Sequence, residues 1–220
     1  MDNPKIKEII DKIKESRGIL ENTSIKDLIE ASTAFDVIPY SEKYRELLSE
    51  IVLIGNKIKS KFGSTPITRQ LFQKYKGKKV NAFRNNEVGD FCEVLIKEAF
   101  DNNREQFKEI RNVLQLGGKG YPDLKIITNS ETAFLEVKAT SRPDKGSARD
   151  FYYSPGAASE RKIDCSALHI LIGFVTEQIS NGFLIKDFKL VDVSKIKVNL
   201  KPEFNTDNLG IYNSETIIKI

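Results

Sequence analysis

The chain of 220 residues is predicted to form a mixed α/β sheet with helices on its faces, preceded by a helical N-terminal part. Two observations carry this expectation: helical spacing of apolar residues dominates up to about Asn103, and strand-like runs separated by turn residues follow from Ile110 onward. Ile6, Ile9, Ile10 and Ile13 recur at helical spacing, and Tyr44, Leu47, Leu48 and Ile51 repeat the pattern, with Ser24 and Ser41 as N-cap residues. A third helix is expected to start near Thr65-Pro66, with Pro66 in its first turn, and to stop at Gly77. Val88, Phe91, Cys92, Leu95 and Ala99 then make an apolar stripe on a helix reaching Asn103. Strands are expected over Ile110–Leu116, Leu124–Thr128 and Thr132–Ala139. A loop-rich insert, with helix as the alternative, follows, and further strands over Ala167–Thr176 and Gly182–Val193. The expected division is a helical region over 1–80, for dimerisation or for clamping a partner, and a sheet-bearing domain over 81–220.

Composition removes several classes of function. No apolar run approaches the roughly 20 residues needed to cross a bilayer, and the charged stretch Met1–Lys12 is unlike a signal peptide. Two cysteines, Cys92 and Cys165, with the single His169 can build neither a structural zinc site nor a disulfide framework, and an HExxH hydrolase lacks its histidines. A cytoplasmic location is the expectation. The formal charge of +4 conceals an uneven distribution: residues 1–50 carry 8 basic and 11 acidic side chains, whereas 51–86 carry nine basic and none acidic. Such a segment suits a phosphate backbone, with a lysine-rich solvated helix face as the plain alternative.

The most informative stretch is Tyr121-Pro122-Asp123-Leu124-Lys125-Ile126-Ile127, a turn, and Ala133-Phe134-Leu135-Glu136-Val137-Lys138. Strand side chains alternate faces, so Glu136 and Lys138 share one side and Leu135 and Val137 the other. A turn centred between Asn129 and Ser130 places Asp123 opposite Glu136, where Cβ atoms stand roughly 4.5 to 5.5 Å apart. Two carboxylates this close repel unless a cation joins them, and Mg²⁺ accepts one or two carboxylates together with water and phosphate oxygens.

Asp123 after a proline, with Glu136 and Lys138 on the next strand, resembles the PD-(D/E)xK nuclease superfamily over about residues 87–193. The resemblance implies that family's mixed sheet, with residues 81–220 as the catalytic domain. It also implies Mg²⁺-dependent hydrolysis of double-stranded DNA by in-line attack of an activated water, with Asp123 and Glu136 as metal ligands. Lys138 would orient or deprotonate the water and stabilise charge on the phosphate, and the ends would be a 5′-phosphate and a 3′-hydroxyl. Glu93 matches the further acid that the family's preceding helix often supplies, with Glu87, Asp90 and Glu98 as competitors. The short motif also occurs as Pro143-Asp144 with Glu160-Arg161-Lys162, but without strand context, and Asp187-Phe188-Lys189 repeats only the spacing of its second half.

The loop after Lys138 offers Arg142, Lys145, Ser147, Arg149, Tyr152 and Tyr153 to bases or phosphates; packing of its aromatic residues on the core is the alternative. Gly117-Gly118-Lys119-Gly120 lacks the spacing of a P-loop. Within the superfamily the chain looks most like a type II restriction endonuclease, which implies sequence-specific cleavage, a homodimer and a companion DNA methyltransferase. A structure-specific repair or recombination nuclease and a non-catalytic DNA-binding protein are the alternatives.

Overall fold

The structure, a computed structural model, describes residues 4–19, 22–77, 79–80, 83–118, 120–143, 153 and 162–199. The chain divides into two compact units, one formed by 1–23 and 197–220 and the other by 24–196. The first contains helix α1 (Pro4–Ile19), along which Lys12 pairs with Glu8 at 2.6 Å, and the Asn22 N–H donates to Asn199 Oδ1 at 2.6 Å. Strands β1 (Thr23–Ser24) and β8 (Lys197–Val198) form a two-stranded sheet.

The second unit is built on a six-stranded mixed sheet of β2 (Val37–Ile38), β3 (Ile110–Gln115), β4 (Leu124–Thr128), β5 (Thr132–Thr140), β6 (Ala167–Ile179) and β7 (Gly182–Asp192). β3, β4 and β5 form an antiparallel meander, β5 runs parallel to β6, and β6 pairs with both β2 and β7. Residues Ala133–Val137 of the interior strand β5 are all buried, as expected for a strand covered on both faces.

Helices α2 (Ile25–Thr33), α3 (Arg45–Phe62), α4 (Arg69–Lys76) and α5 (Asn85–Asp101) flank this sheet. In α3 the apolar residues Leu47, Ile51, Ile54, Ile58 and Phe62 recur at helical spacing and are buried against α5 and the sheet. Val88, Phe91, Cys92, Leu95 and Ile96 do the same for α5, and both helices share one core with Leu135 and Val137. Glu50 fastens α3 to the start of β3, its carboxylate accepting the N–H groups of Lys108, Glu109 and Ile110 at 2.5, 2.9 and 2.8 Å. At Gly55 any Cβ would lie 2.6 Å from the Phe188 ring, so a larger residue there requires that ring to move.

Two local expectations need correction. Pro66 does not enter α4. Ile67 exchanges backbone hydrogen bonds with Phe183 at 2.8 and 3.0 Å, which holds the chain extended until Thr68 caps the helix by accepting the Leu71 N–H. The helix does stop at Gly77, whose φ of 64° is left-handed. Ser24 and Ser41 stand at N-cap positions of α2 and of a 3₁₀ turn, but neither side chain makes a capping bond.

Candidate active site

The hairpin of β4 and β5 positions the first acid. Its turn closes through Thr128, whose N–H donates to Glu131 O and whose Oγ1 accepts the Glu131 N–H, both at 2.9 Å. The ladder then pairs Leu124 with Leu135 and Ile127 with Thr132, so Asp123, one residue before β4, faces Glu136. Asp123 Oδ2 accepts the N–H of Val137 at 2.8 Å. Ahead of it, Gly118 and Gly120 take left-handed φ values of 85° and 86°; Lys119 between them lies outside the described residues. Lys162 donates to Gly120 O and Pro122 O at 2.5 and 3.0 Å, bracing the loop that delivers Asp123.

Glu136 is 2% exposed. Its Oε1 lies 2.5 Å from Lys138 Nζ, while Oε2 is buried with no hydrogen-bond partner among the described residues. Burial and the neighbouring Asp123 push its carboxyl up to about 7, against the opposing pull of Lys138. Burial would lower the Lys138 ammonium, but the charges of Glu136, Asp123 and Glu93 outweigh it, and the group titrates above the usual lysine range. An orphaned, desolvated carboxylate oxygen beside a second carboxylate fits a hard divalent cation. Among the described residues no three His, Cys, Asp or Glu side chains form a group that could hold a metal ion, so an ion here would draw its remaining ligands from water and phosphate.

The structure distinguishes Glu93 from its competitors on α5. Glu87 is used locally, accepting the Arg84 N–H at 2.8 Å as a helix cap, Asp90 is exposed, and Glu98 lines a groove between α3 and α5. Glu93 Oε2 accepts from Gln115 Nε2 at 2.8 Å and stands 3.7 Å from Lys76 Nζ. Its carboxyl is raised first by burial and then by the charge of Asp123, which ties it to the same acidic centre. Sequence reasoning does not single out Gln115. The available signal is its place at the end of β3, opposite Leu124 and so beside Asp123. Nor does it pair Tyr121 with His169. The Tyr121 hydroxyl lies 2.5 Å from His169 Nδ1, and burial lowers the histidine to about 4, so it is neutral at pH 7.

Of the loop residues expected to meet DNA, Arg142 is exposed just beyond β5. Tyr153 is half-buried, its hydroxyl hydrogen-bonded to Ser32 and its ring edge-on to Tyr121 at 6.1 Å. Lys145, Ser147, Arg149 and Tyr152 lie outside the described residues, as do Asp144, Glu160 and Arg161 of the second motif match. Asp187 makes an ion pair with Lys59 at 2.9 Å on the surface. Lys57, Lys59 and Lys61 belong to α3 and Lys74 and Lys76 to α4, with Lys57 donating to Asn103 Oδ1 at 3.0 Å.

Known proteins resemble this chain over most of its length. The profile of the type II restriction enzyme MjaV family matches residues 20–215. The type II restriction enzyme MjaV of Methanocaldococcus jannaschii is 25% identical over 220 residues, an alignment spanning 90% of this chain and 89% of that one. No solved structure matches.

Proposed function

We propose, from the premise that the chain belongs to the type II restriction enzyme MjaV family and is a site-specific deoxyribonuclease, that it cuts double-stranded DNA with Mg²⁺ at a PD-(D/E)xK centre made of Asp123, Glu136 and Lys138. The observation that carries this reading is the buried Oε2 of Glu136, which has no hydrogen-bond partner among the described residues and lies beside Asp123.

Asp123 and Glu136 would hold the ion, Asp123 kept in place by the Val137 N–H. Bound there, Mg²⁺ would supply Lewis-acid polarisation of the phosphoryl oxygen and a lowered pKa for a coordinated water. The remaining work falls to the chain. Lys138, held protonated by its acidic neighbours, orients the attacking water and meets the negative charge that develops on the phosphate. Glu93 closes the acidic side of the centre. Arg142 and the residues of the following loop contact DNA close to the cut phosphate, because the loop leaves the strand that carries Lys138. The lysines of α3 and α4 bind the backbone without reading bases. The active form is a homodimer, in which a two-fold axis lets two centres cut both strands of a palindrome. A cell producing it would need a methyltransferase of the same specificity.

The test is incubation of purified protein with phage and plasmid duplex DNA, with Mg²⁺ or with EDTA, beside Lys138→Ala, followed by sequencing of the ends. Discrete Mg²⁺-dependent fragments absent from the variant are expected. Intact DNA under all conditions, or equal cutting by the variant, overturns the reading.

A further inference from the structure

Among the described lysines of the acid-free segment, Lys76 pairs with Glu93 of α5, 3.7 Å away. Its side chain is 21% exposed and turned toward Glu93, whereas Lys59, for comparison, is 41% exposed and engaged on the surface with Asp187. The backbone around it is well fixed: Gly77 ends α4 in a left-handed turn, and the preceding Tyr75 packs edge-on against Phe91 of α5 at 5.1 Å. Lys76 is therefore carried to Glu93 by the packing of α4 on α5, and Glu93 interacts in turn with both Asp123 and Lys138. The centre thus joins three carboxylates, Glu93, Asp123 and Glu136, to two ammonium groups, Lys76 and Lys138.

Resting on the nuclease reading above, we infer that Lys76 is a second cationic catalytic residue: its ammonium, held by Glu93, fills the place beside the Asp123–Glu136 pair that a second metal ion would otherwise take, and there meets the DNA phosphate. Geometry supports this: Gln115, which donates to Glu93 at 2.8 Å, lies opposite Leu124, the residue after Asp123, so the Glu93–Lys76 pair is anchored next to the first acid of the centre. Glu93 is then the counter-ion of Lys76 rather than a metal ligand. Gln115 holds the Glu93 oxygen that Lys76 also approaches, which fixes the direction in which the ammonium is presented.

The inference is tested with Lys76→Met, Lys76→Arg, Glu93→Gln and Glu136→Ala in the full chain. Mn²⁺ binding is counted without DNA by titration and electron paramagnetic resonance, and single-turnover cleavage of a cognate duplex is followed with Mg²⁺. One Mn²⁺ per wild-type chain is expected, with an affinity that Glu93→Gln changes by less than about threefold. Lys76→Met should slow cleavage about 100-fold even when the duplex is saturated with enzyme, the scale of losing one group that stabilises transition-state charge, while its melting temperature stays near wild type, and Lys76→Arg should recover most of the rate. Two Mn²⁺ ions per wild-type chain, Mn²⁺ binding abolished by Glu93→Gln, or cleavage by Lys76→Met within threefold of wild type overturns it. Glu136→Ala separates the two levels: if it still cuts, the nuclease reading itself fails, and if it is inert while Lys76→Met cuts normally, only the role of Lys76 fails.

Discussion

Asp123 reaches across the hairpin to accept the N–H of Val137, the residue between Glu136 and Lys138, at 2.8 Å. This bond fixes one carboxylate against the strand that carries the other. It also uses an oxygen of Asp123 in a way that an amide could imitate. Asp123→Asn is accordingly expected to keep the fold while losing metal binding. Mg²⁺ should raise the melting temperature of the wild-type protein through preferential binding to the native state and leave that of Asp123→Asn unchanged; an equal rise in both would remove Asp123 from the ligand set.

Glu136 should make the metal-free protein less stable at alkaline pH. The folded state holds its proton up to about 7, against an ordinary value of 4.5. Between these values the folded state binds more protons than the unfolded one. The stability contributed by the protonated form is thus complete below 4.5 and lost as pH rises through about 7. Glu136→Gln is expected to exceed wild type by about 3 kcal/mol at pH 8 without metal and to match it below pH 4.5. Denaturant melts across this range check the claim, and a difference independent of pH would refute it.

The same proton should appear in the kinetics. At limiting Mg²⁺ the cleavage rate should climb with pH through about 7, because the ion competes with the proton on Glu136. Saturating Mg²⁺ should move this rise to lower pH. A profile whose midpoint ignores Mg²⁺ concentration would assign the limb to another group.

Glu50 offers a control on stability remote from the chemistry. Its carboxylate receives three backbone N–H groups at the start of β3. Glu50→Ala should cost about 2–4 kcal/mol through the loss of these charge-assisted bonds and the unpaired N–H groups left behind. The cleavage rate per folded molecule should remain that of wild type, with urea unfolding and single-turnover rates measured on the same preparation.

Lys57, Lys61 and Lys74 test the basic segment as a DNA surface. Neutralising all three should lower the slope of log affinity against log salt by about one unit for each phosphate that no longer meets an ammonium group. An unchanged slope would make these residues an ordinary solvated helix face.

The hairpin is legible in the sequence because its information is local. A period of two sorts the faces of β5, and one turn centre fixes which residue opposes Glu136, so the register can be read by counting. The start of α4 is not legible, since Pro66 is held out of the helix by pairing of Ile67 with Phe183, more than a hundred positions away. Gln115 and Lys76 are hidden for the same reason: each reaches Glu93 only after β3 and α4 have packed beside α5. Glu93 is one of five acids on α5, and the sequence alone leaves Glu87, Asp90 and Glu98 as its competitors. What separates it from Glu87 is that the latter spends its carboxylate on the Arg84 N–H.

The short connection between β4 and β5 also bears on how the centre comes into being. Asp123, Glu136 and Lys138 lie within a single hairpin, and closing so short a loop costs little chain entropy and takes microseconds. Glu93 and Lys76 must await the docking of whole helices. The hairpin that carries Asp123, Glu136 and Lys138 can therefore form during the earliest stages of folding, and Glu93 and Lys76 join it only with the finished core. A chain arrested between these stages would hold Asp123 opposite Glu136 yet lack the groups brought in by α4 and α5.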